Sequence, residues 1–155
     1  MRVAVVDGQG GGIGKALVER LRAELGAEQD ILALGTNPLA TSLMLRAGAS
    51  EGASGENAIV VNAPRMDVIV GTIGIIAADS MLGEVTPAMA RAVAASPARK
   101  ILVPLNRCGI EVVGVGSEPL PQAVAAAARR VKALADGERK ARGDAFPLHQ
   151  CESRV

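Results

Sequence analysis

Five glycines fall within seven residues, at Gly8, Gly10, Gly11, Gly12 and Gly14, immediately behind a short apolar run that ends in Asp7. A helical pattern starts at once beyond them. Strand, tight turn and helix start in that order form the arrangement that holds a phosphate: backbone N–H groups point outward and the helix dipole favours negative charge. Asp7, Gln9, Ile13 and Lys15 belong to the same candidate segment. Gly8 lets the chain leave the strand sharply, and Gly10 to Gly12 let amides approach an anion. Gly14 lets the first helical turn lie close to a sheet.

Spacing separates three similar motifs. The dinucleotide pattern G-x-G-x-x-G fails in every register, because Ile13 or Lys15 stands where its last glycine belongs. The variant G-x-x-x-G-x-G fits without mismatch as Gly8, Gly12 and Gly14. The triphosphate loop G-x-x-x-x-G-K-[ST] needs glycine at Gln9 and a hydroxyl at Ala16, so its magnesium ligand is missing. A methyltransferase loop also expects glycine at Gln9. The plain alternative is a glycine-rich turn that binds nothing.

The other groups that can do chemistry are few. Thr36-Asn37, Gly71-Thr72-Gly74 and Asn106-Arg107-Cys108 each follow an apolar run. Arg107 can fork onto a phosphate or carboxylate, and Cys108 becomes a reactive thiol if Arg107 lowers its pKa. As a packing residue, Cys108 needs neither. Asp7 beside a helix N-terminus is expected to be ionised and a weak base, or to cap the turn by accepting backbone N–H groups. Lys15 is either a point charge for a phosphate or a solvated helix residue. Asp79-Ser80 and Glu84-Thr86 are further candidates for a pocket wall, and turn chemistry before Pro38 accounts equally well for Thr36 and Asn37.

The elements that must position these groups alternate. Ile13, Leu17, Leu21 and Leu25 recur every fourth residue, with Gly26 as C-cap. Ile31–Leu34 reads as a second buried strand, and a short helix follows over Leu39–Ala47. A weak edge strand is expected around 49–52. Ser54 is expected to cap a helix running to Ala63. Asp67–Val70 is the next strand, and Thr86-Pro87 opens another helix. Ile101–Leu105 is a strand whose Pro104 suggests an edge. The four residues 106–109 are too few for a parallel crossover, so Ile110–Val115 is expected to pair antiparallel, as an edge hairpin. An Ala-rich helix then runs from Pro119 or Leu120 to about Ala135.

Such alternation predicts an α/β fold of three layers, a doubly wound, mostly parallel sheet with helices on both faces. The first and fourth strands should adjoin at the switch point, with ligands beyond the carboxyl ends of the strands. All four candidate groups lie on that rim. Residues 1–135 make one domain, large enough for a core. Residues 136–155, evenly charged and poor in aliphatics, read as a disordered polar tail holding His149 and Cys151, two ligands too few for a zinc site.

Composition narrows the partners. The net charge is +1, and the chain has no Trp, no Tyr and one Phe. Neither a basic footprint nor a stacking platform for nucleic acid can be built from it. The longest apolar stretch, 68–78, reads as too short for a bilayer, and the opening apolar run, Val3–Val6, does not read as a signal peptide. Two cysteines far apart form no disulfide framework. These features predict a soluble, cytoplasmic protein without metal, nucleic-acid or membrane partners.

The G-x-x-x-G-I-G loop resembles the cofactor loop of short-chain dehydrogenases over about the first 35 residues. That family's catalytic Tyr-x-x-x-Lys cannot be carried over to a chain without tyrosine. The acidic residue expected about 20 positions beyond the loop, to grip a ribose hydroxyl, is also missing. Over residues 2 to about 130 the chain more closely resembles a small bacterial family, a domain of unknown function. The matching segments are DGQGGGIGK, ALGTNPLATSLML, SGENAIVVNA, GTIGIIAADSMLGEVTPAMA and ILVPLNRCGIEVVGV. That resemblance implies a Rossmann-like fold and no established activity. The expected ligand is a nucleotide, with NAD(P) slightly ahead of ATP, in a cofactor-binding or sensing protein. The alternative is a small NAD(P)-dependent reductase or nucleotide-dependent transferase completed by a second subunit of a homo-oligomer. A purely structural role for the helix face Ala123–Ala128 is the third possibility.

Overall fold

The computed structural model describes residues 1–105, 109–116 and 118–144. Five strands form one sheet in the order β3-β2-β1-β4-β5, namely β1 (Val3–Asp7), β2 (Ile31–Gly35), β3 (Glu51–Ser54), β4 (Val68–Thr72) and β5 (Arg99–Val103). Every pairing is parallel. Between them run α1 (Gly12–Leu25), α2 (Pro38–Arg46), α3 (Glu56–Asn62) and α4 (Pro87–Ala95), with α5 (Leu120–Asp144) last. The doubly wound, Rossmann-like α/β fold is therefore the fold of this chain.

Period-two geometry divides β1, β2, β4 and β5 between two cores. Val3 and Val5 of β1 pack with Leu17, Val18 and Leu21 of α1 and with Val124, Ala128 and Val131 of α5. Their neighbours Ala4 and Val6 point the other way, onto Ile59 of α3 and Met89 and Val93 of α4. All five residues of β1 are buried, as a strand covered on both faces must be. Val3 sits opposite Ile31 on one side and Val68 on the other, so β1 and β4 adjoin at the switch point, as expected.

Several boundaries differ from expectation, each for a local reason. No sixth strand forms among the described residues, and residues 110–116 lie outside the sheet. Gly109 and Gly114 have φ of 66° and 84°, which interrupts extended backbone. Val113, meant as a strand residue, is 96% exposed. The antiparallel edge hairpin is thus replaced by a loop, and β5 ends at Val103, just before Pro104, as the sheet edge. The turn expected at Asn106, Arg107 and Cys108 falls on residues outside those described.

Ser54 does not cap α3. It closes β3, its hydroxyl pairs with that of Thr41 at 2.7 Å, and Gly55 takes the cap position with φ 94°. Helix α5 passes Ala135, its last buried residue among those whose burial is described, and continues to Asp144. The apolar stripe ends there, but Glu138, Arg139 and Lys140 are good helix formers, and Arg139 pairs with Asp136 at 2.6 Å. Residues 145–155, including His149 and Cys151, lie outside the described residues.

Candidate functional site

The chain leaves β1 at Asp7, turns at Gly8–Gly11 and enters α1 at Gly12. Gly11 caps the helix with φ 70°, a left-handed conformation that glycine adopts without strain. The Gly11 amide donates to the Gly8 carbonyl at 3.0 Å, and Lys15 N donates to the Gly11 carbonyl at 3.0 Å. Of the first-turn amides, Gly14 N is taken by the Asp7 carboxylate at 2.5 Å. The amides of Gly10, Gly12 and Ile13 have no acceptor among the described residues.

The five glycines serve two different ends. A methyl group on Gly14 would lie 2.7 Å from both Asp7 Cβ and Met44 Sδ, and one on Gly11 would meet Ala40 Cα at 2.7 Å. Gly8 is crowded by Thr36 Oγ1 at 2.5 Å and Met81 Sδ at 2.8 Å. These three are demanded by packing. Gly10 and Gly12, by contrast, face nothing within 4 Å. They look into a cleft of about 610 Å³ lined by residues 7–13 together with Thr72, Met81, Leu82, Leu105 and Leu120. That volume lies within the range of small-molecule sites.

A second feature abuts the first. The Glu84 carboxylate, carried by the segment between β4 and α4, reaches back across the loop. Its Oε2 accepts from Gln9 N at 2.7 Å, from Thr36 Oγ1 at 2.6 Å and from Asn37 Nδ2 at 2.9 Å. Asn37 is fully engaged: it also donates to the Gln9 carbonyl at 3.0 Å, and its Oδ1 accepts from Ala40 N at 2.9 Å as the N-cap of α2. Asn37 thus performs the turn chemistry expected before Pro38, and both Thr36 and Asn37 hold Glu84. The segment that delivers Glu84 is bent hard. Asp79, Met81 and Leu82 have φ of 62°, 56° and 59°, and Leu82 is 97% exposed.

Two carboxylates flank the loop with opposite electrostatics. Burial pushes the Asp7 carboxyl above its ordinary value, against the amides of Gly14 and Gly8 that lower it, and nearby Glu84 adds a further upward push. Desolvation here outweighs the pull of the helix terminus, and the carboxylate caps the turn by accepting from Gly14 N, the second of the two expectations for Asp7. The Thr36 hydroxyl holds Glu84 below its ordinary value, with partial burial opposing and Gln9 N and Asn37 assisting.

Of the sequence-predicted residues, Asp7, Gly8, Gln9, Gly10, Gly11, Gly12, Ile13 and Thr72 meet around the cleft. Thr36 and Asn37 stand beside it, on Glu84. Gly14 lies behind it, against Asp7. Gly71 is a packing residue, since a methyl there would meet the Val6 carbonyl at 2.7 Å. Gly74 is buried, and its carbonyl accepts from Ser80 Oγ at 2.6 Å. Lys15 points away and pairs with Glu19 at 3.7 Å on the exposed face of α1. Sequence reasoning missed the apolar wall, Met81, Leu82, Leu105 and Leu120, which carries no motif. Among the described residues no group of three or more His, Cys, Asp or Glu could hold a metal ion, and no helix is long and apolar enough to cross a membrane.

The model of DUF3842, a domain of unknown function, matches residues 2–136, and the chain belongs to that family. No curated protein matches. Among solved structures, an NAD+-bound xylitol dehydrogenase is similar at 17% identity with a TM-score of 0.35. The match covers 88% of this chain, which spans 63% of the length of that dehydrogenase.

Proposed function

We propose that this DUF3842 member binds a nucleotide, holding its phosphate on the amides of Gly10, Gly12 and Ile13 at the mouth of α1. The observation that carries the proposal is the split among the glycines. Gly8, Gly11 and Gly14 are explained by packing, whereas Gly10 and Gly12 face open space beside unclaimed donors. A loop built only to turn would not need those two. The dipole of a 14-residue helix adds its positive end at the same point. Apolar side chains at Met81, Leu82, Leu105 and Leu120 offer a base or ring an apolar wall.

The cleft holds donors and apolar surface, with Asp7 as its one acid. Asp7 already accepts from Gly14 N, which suits a structural cap better than a proton carrier. Binding or sensing therefore fits these residues better than catalysis. The test is a thermal-shift screen against NAD, NADP, ATP, GTP, CTP, FAD and S-adenosylmethionine, on the wild type and on Gly12→Val. A shift with one of these nucleotides that Gly12→Val abolishes supports the proposal. A shift that survives Gly12→Val puts the site elsewhere.

A further inference from the structure

We infer that Glu84 sets ligand size at this site, closing the β2 side of the glycine loop so that the cleft accepts a phosphate carrying one nucleoside and turns away a dinucleotide. The inference rests on the phosphate reading of the loop. In a doubly wound sheet a dinucleotide lies across the switch point, pyrophosphate on the glycine turn and one ribose at the carboxyl end of the second strand. Here that end is filled by the chain itself. Thr36 and Asn37, the first residues after β2, spend their side-chain donors on Glu84 Oε2, and Gln9 N does the same. Above Gly8, where a sugar would need room, Met81 Sδ and Glu84 Oε2 stand 2.8 and 3.1 Å from the position a methyl would take.

The open volume extends the other way. It runs from the loop toward Thr72, Leu105 and Leu120, with Met81 and Leu82 also on its wall, and none of Thr36, Asn37 or Glu84 lines it. A ligand anchored on the Gly12 and Ile13 amides therefore has one direction in which to lay its body, on the β4 side. Three donors, one of them a fixed backbone amide, hold a single carboxylate oxygen, so the plug is displaced only by breaking all three bonds together.

The two halves of NAD, AMP and nicotinamide mononucleotide, each carry one nucleoside and one phosphate and so test size at constant chemistry. Titration calorimetry on the full chain is expected to show at least one of them binding tenfold or more tightly than NAD. Glu84→Ala, checked for folding by far-ultraviolet circular dichroism, should raise the affinity for NAD relative to that mononucleotide at least tenfold. Glu84→Gln keeps an oxygen of the same reach and should keep most of the wild-type preference. If Glu84→Ala does not fold, Thr36→Ala, which removes one of the three donors holding Glu84, loosens the same plug and takes its place. NAD binding as tightly as both halves overturns the inference, and so does weaker NAD binding in Glu84→Ala, which would make Glu84 a ribose acceptor instead. Mononucleotide binding that Gly12→Val removes keeps the phosphate site whatever Glu84 does. Binding of none of the three to the wild type overturns both.

Discussion

Replacing Gly12 and Gly14 in turn by alanine separates what the loop needs in order to fold from what it needs in order to bind. At Gly14 the added methyl would sit 2.7 Å from Asp7 Cβ and Met44 Sδ, and 2.8 Å from Asp7 Oδ2. Overpacking of this kind costs about 1–3 kcal/mol, offset in part by the better helix propensity of alanine, up to about 1 kcal/mol. A net loss of about 1–2 kcal/mol corresponds to a fall in Tm of about 2–8 °C for a domain of this size. At Gly12 the methyl meets nothing within 4 Å. Alanine there only reduces the freedom of the unfolded chain, for a gain of about 0.4–1 kcal/mol. The same methyl projects into the cleft, so nucleotide affinity should fall at least tenfold while the protein becomes slightly more stable. Urea denaturation followed by circular dichroism gives the stability half, and titration calorimetry gives the binding half. Equal destabilisation by both substitutions would refute the division of the glycines into packing and binding residues. Undiminished affinity in Gly12→Ala would do the same from the other side.

Asp7 and Glu84 should bend the pH dependence of stability in opposite directions. Asp7 is raised above its ordinary 3.8 when folded, so stability increases as pH falls through its folded value toward 3.8; Asp7→Asn should remove that rise without loss at neutral pH. Glu84 is lowered below its ordinary 4.5, so its contribution is present above 4.5 and lost as pH falls through the folded value. Glu84→Gln should flatten that limb, and urea midpoints between pH 3 and 7 read both variants. Arg22 donates to the carbonyls of Gly48, Ala27 and Gln29 and to Ser50 Oγ, at 2.6 to 3.1 Å. Arg22→Ala should cost about 2 kcal/mol in chemical denaturation, and lysine should restore little, because one ammonium cannot span that fan of acceptors. Leu82, at φ 59° and 97% exposed, should become more stable by about 0.5–1 kcal/mol as asparagine, which tolerates that backbone. No gain in Tm for Leu82→Asn would show that the bend carries no strain.

The buried parts of the fold were legible because burial writes itself into sequence. Val3–Val6, Ile31–Leu34 and 68–70 are apolar runs bounded by turn residues, and Thr86-Pro87 is an N-cap with a proline behind it. Thr86 Oγ1 does accept from Met89 N, at 3.2 Å. Exposed elements left weaker marks. Strand β3, Glu-Gly-Ala-Ser, has no buried residue, and its backbone pairing with β2 is a tertiary fact. Val112, Val113 and Val115 misled in the opposite sense, since β-branched residues signal a strand only where a partner strand exists. Within the site, the glycine loop was readable from spacing. The clamp on Glu84 was not, because Gln9, Thr36 and Asn37 lie 75, 48 and 47 positions from it. Its sequence signal was an absence, the missing acid after β2.

Both cores are wholly aliphatic, built from Val, Leu, Ile, Ala and Met without a ring among their buried members. With neither Trp nor Tyr in the chain, the polypeptide is almost transparent in the near ultraviolet. Purines, pyrimidines, nicotinamides and flavins all absorb there. A plain absorption spectrum of freshly isolated material therefore reports cargo directly, because a strong band near 260 nm, or one at longer wavelength, must come from a guest molecule.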